Sequence, residues 1–159
     1  MDDSILTAGE RRLLAELEAR GVRYLVVGMS AALLQGARGS TEDIDLWFES
    51  TADPRIAEAV HAAGGIWISG SFGLGPPRIG GDELSERFDV VVHRSGLEPF
   101  AVEYRAVRFE PLEDLRVPVL PLERILVSKL AAARPKDLAA AHAIEDAILL
   151  IGRGEPRDV

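Results

Sequence analysis

Residues 24–48 have the sequence YLVVGMSAALLQGARGSTEDIDLWF, and this stretch decides the fold. The largely apolar run over residues 22–27 predicts a buried strand that ends at Gly28. Residues 30–35 then suit a short helix, and residues 43–48 form a second strand in which acidic and apolar side chains alternate. The unit is therefore a strand, a glycine turn, a short helix and an acidic strand.

The acidic strand presents two carboxylates on one face. Because side chains of a strand point alternately to its two faces, Asp43 and Asp45 share one face while Ile44 and Leu46 share the other. The two acids stand roughly 7 Å apart along the strand, a spacing that suits one or two divalent cations. Charged groups are rarely buried unless they are paired or metal-bound, so this pair favours a functional role over a solvated edge strand. Thr41, two residues earlier, would contact a ligand or orient Asp43.

The glycine turn offers a place for a phosphate. Gly28 lets the backbone approach a phosphate closely, the amides of the following helix point at it, and the Ser30 hydroxyl adds a donor. A plain strand-to-helix turn explains the same two residues, so the turn is weak evidence by itself. Combined with the acidic strand, it indicates phosphoryl or nucleotidyl transfer.

A third carboxylate comes from a later strand. Asp89 enters the strongly apolar strand predicted at residues 88–93. If this strand lies next to the strand that carries Asp43 and Asp45, Asp89 contributes a third carboxylate to the same site. An exposed acid at the mouth of a strand is the alternative interpretation.

Basic residues in the last third of the chain are candidates for binding phosphates. Lys129 borders the apolar stripe of a predicted helix and would contact a triphosphate as a point charge. Lys136 stands at the start of the next helix, where the helix dipole favours anions, and this position indicates an anionic ligand. A solvated helix end capped by Asp137 is the alternative.

The composition indicates a single domain over residues 1–159, with its core at about residues 10–150. The net charge of −8 argues against a protein that coats nucleic acid non-specifically. Cysteine is absent, which excludes disulfides, thiolate zinc sites and thiol nucleophiles. The acidic N-terminus lacks a secretory signal pattern and no apolar run reaches the roughly 18 residues of a membrane span, so we expect a cytoplasmic protein with no membrane partner.

The rest of the chain alternates between helices and short strands. We expect a helix that begins with the capping box of Thr7 and Glu10. The other predicted elements are helices at residues 54–63, from 121 (apolar stripe Leu122, Leu126, Leu130 and Ala133) and at 138–150, strands at 65–69, 103–109 and 117–120, and an irregular loop at 70–81 followed by the solvated acids Asp82, Glu83 and Glu86. The fold class is therefore α/β (α+β), with a mixed sheet of about four to five strands and helices packed mainly on one face.

These motifs resemble the signature of the DNA polymerase beta-like nucleotidyltransferase superfamily. That signature is a glycine followed by Gly or Ser after the first strand, then an acid-x-acid strand and a third acid on an adjacent strand. Gly28-Met29-Ser30, Asp43-Ile44-Asp45 and Asp89 match it in order. Lys129 with Lys136-Asp137 is similar to the Lys…Lys-Asp motif of the minimal bacterial branch, which includes nucleotidyltransferase-like toxins of abortive-infection toxin–antitoxin pairs.

The resemblance implies a nucleotidyltransferase fold, a reaction and a set of roles. Asp43 and Asp45 would hold two Mg²⁺ ions, with Mn²⁺ as an alternative, and Asp89 would be a metal ligand or the base that activates an acceptor hydroxyl. An NTP would be held by the remaining motif residues, and its nucleoside monophosphate would pass to the acceptor with release of pyrophosphate. These nucleotide-binding residues are Gly28, Ser30, Thr41, Lys129 and Lys136. The acceptor is left open among tRNA, protein and a small molecule, and an antitoxin protein is a further candidate partner.

Two rival interpretations are open. A phosphatase with an Asp-x-Asp nucleophile would need Thr or Val where Trp47 stands. A catalytically degenerate nucleotide-binding or partner-binding domain is the stronger alternative. His61, His93 and His142 show no ligand spacing, so we expect structural or surface roles for them.

Overall fold

The computed structural model describes residues 5–70, 75–92 and 94–152. Within these ranges the elements follow the alternation that the sequence predicts. In chain order they are α1 (Ala8–Ala19), β1 (Tyr24–Val27), α2 (Gly28–Leu34), β2 (Ile44–Phe48), α3 (Pro54–Ala62), β3 (Ile66–Ile68), β4 (Arg78–Gly80), α4 (Asp82–Arg87), β5 (Phe88–Val91), α5 (Phe100–Glu103), a 3₁₀ turn (Tyr104–Ala106), β6 (Arg108–Leu112), β7 (Leu115–Val119), α6 (Leu122–Ala132) and α7 (Pro135–Gly152).

The main sheet has five strands in the order β5-β2-β1-β7-β6. β2 pairs antiparallel with β1 and parallel with β5, β1 pairs parallel with β7, and β6 and β7 form an antiparallel hairpin. The sheet is therefore mixed, which confirms the predicted fold class. A separate two-stranded sheet joins β3 and β4.

The core surrounds the central strand. All four residues of β1 are buried, because a central strand of a sheet covered by helices has no solvated face. Helix α1 contributes Leu13, Leu14 and Leu17 to this core, as its predicted stripe requires. Burying each such leucine contributes on the order of 1.5–3 kcal/mol. No helix of the described residues has both the length and the apolar character to cross a bilayer.

Three predicted segments are wrong in type. The loop expected at residues 70–81 contains strand β4, although residues 71–74 lie outside the described ranges, as does His93. The acids Asp82, Glu83 and Glu86, expected in a loop, belong to helix α4. The strand expected at 103–109 is mostly helical, and β6 begins at Arg108.

A tertiary ion pair explains the helical segment. The Glu103 carboxylate is buried and accepts hydrogen bonds of 2.8 and 2.7 Å from Nε and Nη2 of Arg124, and a third from the backbone N–H of Glu98. These bonds lower the pKa of Glu103 below its ordinary value, the Arg124 hydrogen bond most of all. A buried carboxylate has to be paired, and this requirement outweighs the alternating pattern that favoured a strand.

The apolar stripe of α6 is also different from the predicted one. The structure buries Leu122, Ile125 and Ser128, whereas Leu130 is 48% exposed. Residues spaced by three and residues spaced by four follow two different lines along the surface of a helix. Leucines that recur every four residues therefore do not decide which of these lines is buried. The observed orientation turns Lys129 toward the sheet end that carries the acids.

The capping box of α1 gives a test of local stability. The Thr7 hydroxyl accepts from the N–H of Glu10 at 3.1 Å, and the Glu10 carboxylate accepts from the N–H of Thr7 at 3.2 Å. We expect Thr7→Ala to lower the free energy of unfolding by about 1 kcal/mol, measured by urea denaturation. Thr7→Ser keeps the hydroxyl and is the control; an equal loss in both variants would contradict the capping role.

Candidate active site

The pairing of β2 with β5 brings two of the three predicted acids together. Asp45 is in register with Asp89 on neighbouring parallel strands. Asp43 is exposed and lies one residue before β2. The pKa of Asp89 is raised, mainly by burial and in addition by the negative charge of Asp43. The three carboxylates therefore meet at one end of the sheet. Of the described residues, these three acids and Thr41, Lys129 and Lys136 are the predicted site residues that line the cavity there.

Gly28 makes room for the Asp45 carboxylate. Its φ of +65° lies in the left-handed region, and a Cβ added there would collide with Oδ2 of Asp45. The antiparallel register explains the proximity, because Val27 pairs with Asp45 and Gly28 follows directly. Gly28 thus positions an acid, a role that sequence reasoning did not assign to it. Its binding of nucleotide stays a prediction.

The Ser30 hydroxyl is used inside the protein. Ser30 is buried, and its hydroxyl donates to the carbonyl of Val27 at 2.9 Å and accepts from the backbone N–H of Asp45 at 3.2 Å. The hydroxyl therefore ties helix α2 to strand β2 at the level of Asp45. Its hydroxyl proton is donated inside the protein, and binding of a phosphate by Ser30 stays a prediction.

The cavity at this end of the sheet has a volume of about 590 Å³. Five cationic side chains line it together with the three carboxylates; they are Arg38, Arg94, Lys129, Arg134 and Lys136. Thr41 lines it too, and its hydroxyl accepts from the backbone N–H of Asp43 at 3.3 Å; its role toward a ligand or the Asp43 carboxylate stays a prediction. A surplus of cations in a protein with a net charge of −8 marks this cavity as a place for an anion.

Arg94 is the residue that sequence reasoning missed. It lies just beyond β5, and its Nη2 is 3.3 Å from Oδ2 of Asp45. Burial raises the pKa of Asp45 above its ordinary value, Arg94 opposes that rise, and the neighbouring Asp89 adds to it. The only sequence signal was an arginine shortly after the strand that carries Asp89, and that signal does not show that the chain turns back toward Asp45.

Lys129 is held in the cavity wall by a buried acid. Asp137 is 1% exposed and accepts from Lys129 Nζ at 3.3 Å and from Arg134 Nε at 2.6 Å. It also accepts from the backbone N–H of Arg134, so it caps α7 from the first turn of the helix and not from the position before it. Asp137 is thus the predicted cap and is buried, while Lys136 is exposed, so the nucleotide-binding role of Lys136 stays a prediction.

The donor set fits a divalent cation of the magnesium type. Carboxylate oxygens are the ligands that Mg²⁺ prefers, and the raised pKa values of Asp45 and Asp89 reflect, after burial, charge repulsion that a cation would relieve. The described residues nevertheless contain no group of three or more acids and histidines already arranged around one metal position. Arg94 lies against one of the Asp45 oxygens instead.

Comparison with known proteins identifies the fold. No protein-family model matches the chain, and a search of curated proteins finds no match either. Among solved structures, lincosamide antibiotic adenylyltransferase LnuA, lincomycin-bound, has a TM-score of 0.61 at 12% identity over 91% of this chain and 99% of that one. The chain has the nucleotidyltransferase fold.

A second antibiotic adenylyltransferase shares this nucleotidyltransferase fold. ANT(2″)-Ia in complex with adenylyl-2″-tobramycin gives a TM-score of 0.58 at 15% identity over 90% of this chain and 92% of that one. The solution structure of the same antibiotic-resistance factor gives 0.56 at 16% identity over 91% and 88% of the two chains. These neighbours support the superfamily resemblance at the level of the fold and do not bear on the toxin branch.

The glycine that faces Asp45 can be tested against a glycine with the same strain. An alanine at either Gly28 or Gly64 has a positive φ, which costs roughly 1–2 kcal/mol, but only at Gly28 does the added Cβ meet another residue. We expect Gly28→Ala to displace Asp45 and to abolish the Mg²⁺-dependent nucleotide binding that the sequence predicts, measured by calorimetry with ATP. Gly64→Ala should lose stability and keep binding; loss of binding in both variants would contradict the role of Gly28.

The buried pair of Asp137 gives a pH dependence of stability. The hydrogen bonding from Arg134, and then the hydrogen bond from Lys129, lowers the pKa of Asp137 below its ordinary value. Its contribution to stability is therefore present above about pH 4 and is lost as the pH falls through the lowered pKa. We expect wild type to be more stable than Asp137→Asn at pH 7, with a difference that shrinks toward pH 3 in thermal unfolding. A difference independent of pH would contradict this account.

Proposed function

We propose that this protein is a magnesium-dependent nucleotidyltransferase that moves a nucleoside monophosphate from an NTP to the hydroxyl of a small-molecule acceptor. The observation that carries the proposal is the meeting of Asp43, Asp45 and Asp89 with five cationic side chains around one cavity. Carboxylates suit divalent cations, and the cations suit the charge of a triphosphate. Phosphoryl and nucleotidyl transfer are reactions that use both sets of groups in one place.

The cavity separates into an acidic part and a basic part. Asp45 and Asp89 lie side by side on β2 and β5, whereas Lys129 and Arg134 come from α6 and the segment before α7. A nucleotide would place its α-phosphate near the acids and its terminal phosphates near the basic residues. The volume of about 590 Å³ lies within the roughly 300–1,000 Å³ of small-molecule sites.

The chain's own residues then perform positioning and proton transfer. Asp43 and Asp45 would hold magnesium, which when bound supplies charge stabilisation at the reacting phosphate. The acceptor oxygen forms a bond to the α-phosphorus, the bond from that phosphorus to the β-phosphate oxygen breaks, and pyrophosphate leaves. Asp89 accepts the hydroxyl proton, a task favoured by its raised pKa. Lys129, anchored by Asp137, holds the phosphates.

The structural neighbours favour an acceptor of low molecular weight. The LnuA structure contains lincomycin, and that of ANT(2″)-Ia contains adenylyl-2″-tobramycin. By analogy we infer ATP as the nucleotide to test first and a hydroxylated small molecule as the acceptor, ahead of tRNA or protein. The toxin role and an antitoxin partner rest on the Lys129…Asp137 motif and stay predictions.

A degenerate nucleotide-binding or partner-binding domain is the second candidate. The contact of Arg94 with Asp45 favours it, since a guanidinium beside that acid competes with a metal. The absence of a preformed three-ligand group among the described residues points the same way. The two candidates differ in whether an NTP binds with magnesium and is turned over.

Substitution of the acids separates the candidates. We expect Asp43→Asn and Asp45→Asn to reduce pyrophosphate release from ATP by about a hundredfold or more, because the metal ligands are lost. Glu42→Gln is the matched control, because Glu42 is an exposed acid next to Asp43 and its substitution removes the same charge. Unchanged turnover in both aspartate variants would overturn the assignment.

Nucleotide choice is best measured by thermal shift. We expect one of the four NTPs to raise the midpoint of wild type in the presence of Mg²⁺, because a ligand that binds the native state stabilises it by mass action. Asp45→Asn should lose this shift and keep its own midpoint without ligand. No shift with any NTP would favour the degenerate domain.

A further inference from the structure

The Arg94 side chain lies between two cavities. On one side it lines the candidate active site, where it contacts Asp45. On the other side lies a second cavity of about 320 Å³, to which Arg94 contributes together with Ser95, Ser128, Lys129 and Arg134. One guanidinium thus stands between the carboxylates and a polar space lined by two hydroxyls, two other cations and the buried Asp137, with which both of those cations are paired.

The ion pair between Arg94 and Asp45 satisfies Arg94 poorly. Nη2 lies 3.3 Å from Oδ2 of Asp45, and the buried Nε has no hydrogen-bond partner among the described residues. Arg124 and Glu103, by contrast, form two hydrogen bonds of 2.8 and 2.7 Å. The planar arginine fork is best matched by two parallel acceptors, and a buried donor without an acceptor costs free energy. Arg94 therefore has unused binding capacity in this arrangement.

Two glycines define how Arg94 can move. A Cβ at Gly28 would collide with Asp45 and lie 3.3 Å from Nη2 of Arg94. The ion pair between Arg94 and Asp45 therefore requires a residue without a side chain at position 28. Gly96 packs so closely on helix α6 that a Cβ there would lie 2.7 Å from the Cβ of Ala131. Because the backbone after Arg94 is held against α6, a change of partner has to come from rotation of the side chain.

We infer that Arg94 is a phosphate-binding residue that exchanges partners when nucleotide binds. In the free protein it neutralises Asp45; with nucleotide present it moves to the phosphates, beside Lys129 and Arg134. A phosphate group offers the two oxygens that the guanidinium fork requires, which the contact with Asp45 does not. This inference rests on the proposed function.

The exchange couples the two ligands of the site. Arg94 and a divalent cation compete for the same oxygens of Asp45, so the metal binds weakly while Arg94 is there. Nucleotide draws Arg94 away and thereby strengthens metal binding, and by thermodynamic reciprocity the metal strengthens nucleotide binding by the same factor. Removal of Arg94 should therefore raise the affinity for metal alone and lower that for nucleotide.

Calorimetric titrations with MnCl₂ and with α,β-methylene-ATP test the exchange, each ligand alone and in the presence of the other. Arg38→Gln is the matched control, since exposed Arg38 lines the same cavity and its loss removes the same charge. We expect Arg94→Gln to bind Mn²⁺ alone about fivefold or more tightly than Arg38→Gln. Its coupling factor between metal and nucleotide should be smaller than that of Arg38→Gln, because the part of the coupling that depends on Arg94 is lost. Asp45→Asn identifies the Mn²⁺ signal that belongs to this site.

The outcomes separate this inference from the proposed function. Equal Mn²⁺ affinities in Arg94→Gln and Arg38→Gln, with coupling as in wild type, overturn the inference and leave the function standing. If wild type binds neither ligand, the proposed function fails and the inference fails with it. Arg94→Lys, which keeps the charge and loses the fork, is the second variant should Arg94→Gln not fold; we expect it to retain weak metal binding and lose nucleotide affinity.

Discussion

The antiparallel register of β1 and β2 is the constraint on which the site depends. It sets Val27 opposite Asp45, so the next residue, Gly28, faces the carboxylate and has to lack a side chain. The Ser30 hydroxyl locks this register by bonding to the carbonyl of one strand and the amide of the other. Asp45 is therefore positioned by backbone geometry. Parallel pairing with β5 then adds Asp89 at the same level.

The cationic residues that line the cavity contrast with the net negative charge of the chain. The protein is acidic overall, yet five cations line the cavity that also holds the three acids. Two of these cations are paired with carboxylates: Arg94 with Asp45, one of the three acids, and Lys129 with Asp137, a fourth acid outside that group. Both pairs have a shortest distance of 3.3 Å, but Asp137 is almost fully buried and also accepts hydrogen bonds from Arg134, whereas Arg94 and Asp45 are both partly exposed. The difference between them separates a structural pair from one that a ligand can replace.

The acids were predictable because their pattern is local. Asp43 and Asp45 alternate with apolar residues, and Asp89 begins an apolar run, so strand periodicity alone places them on strand starts. The place of Arg94 in the site was not predictable, because its partner Asp45 is 49 positions away and no local pattern connects the two residues. The strand predicted from Glu103 was wrong for a related reason, because the ion pair between Glu103 and Arg124 outweighs the alternating pattern that favoured a strand.

The sequence by itself determined the order of helices and strands around the central strand, the glycine turn and the acid-x-acid strand, because hydrophobic periodicity and glycine act over a few residues. Only the tertiary structure decided which side chains meet. Strand order brought Asp89 to Asp45, the rotation of α6 turned Lys129 into the cavity, and Ser30 became a positioning group inside the protein. These outcomes depend on packing between distant segments, and the free energy of burying and pairing charged groups is settled only when those segments are in contact.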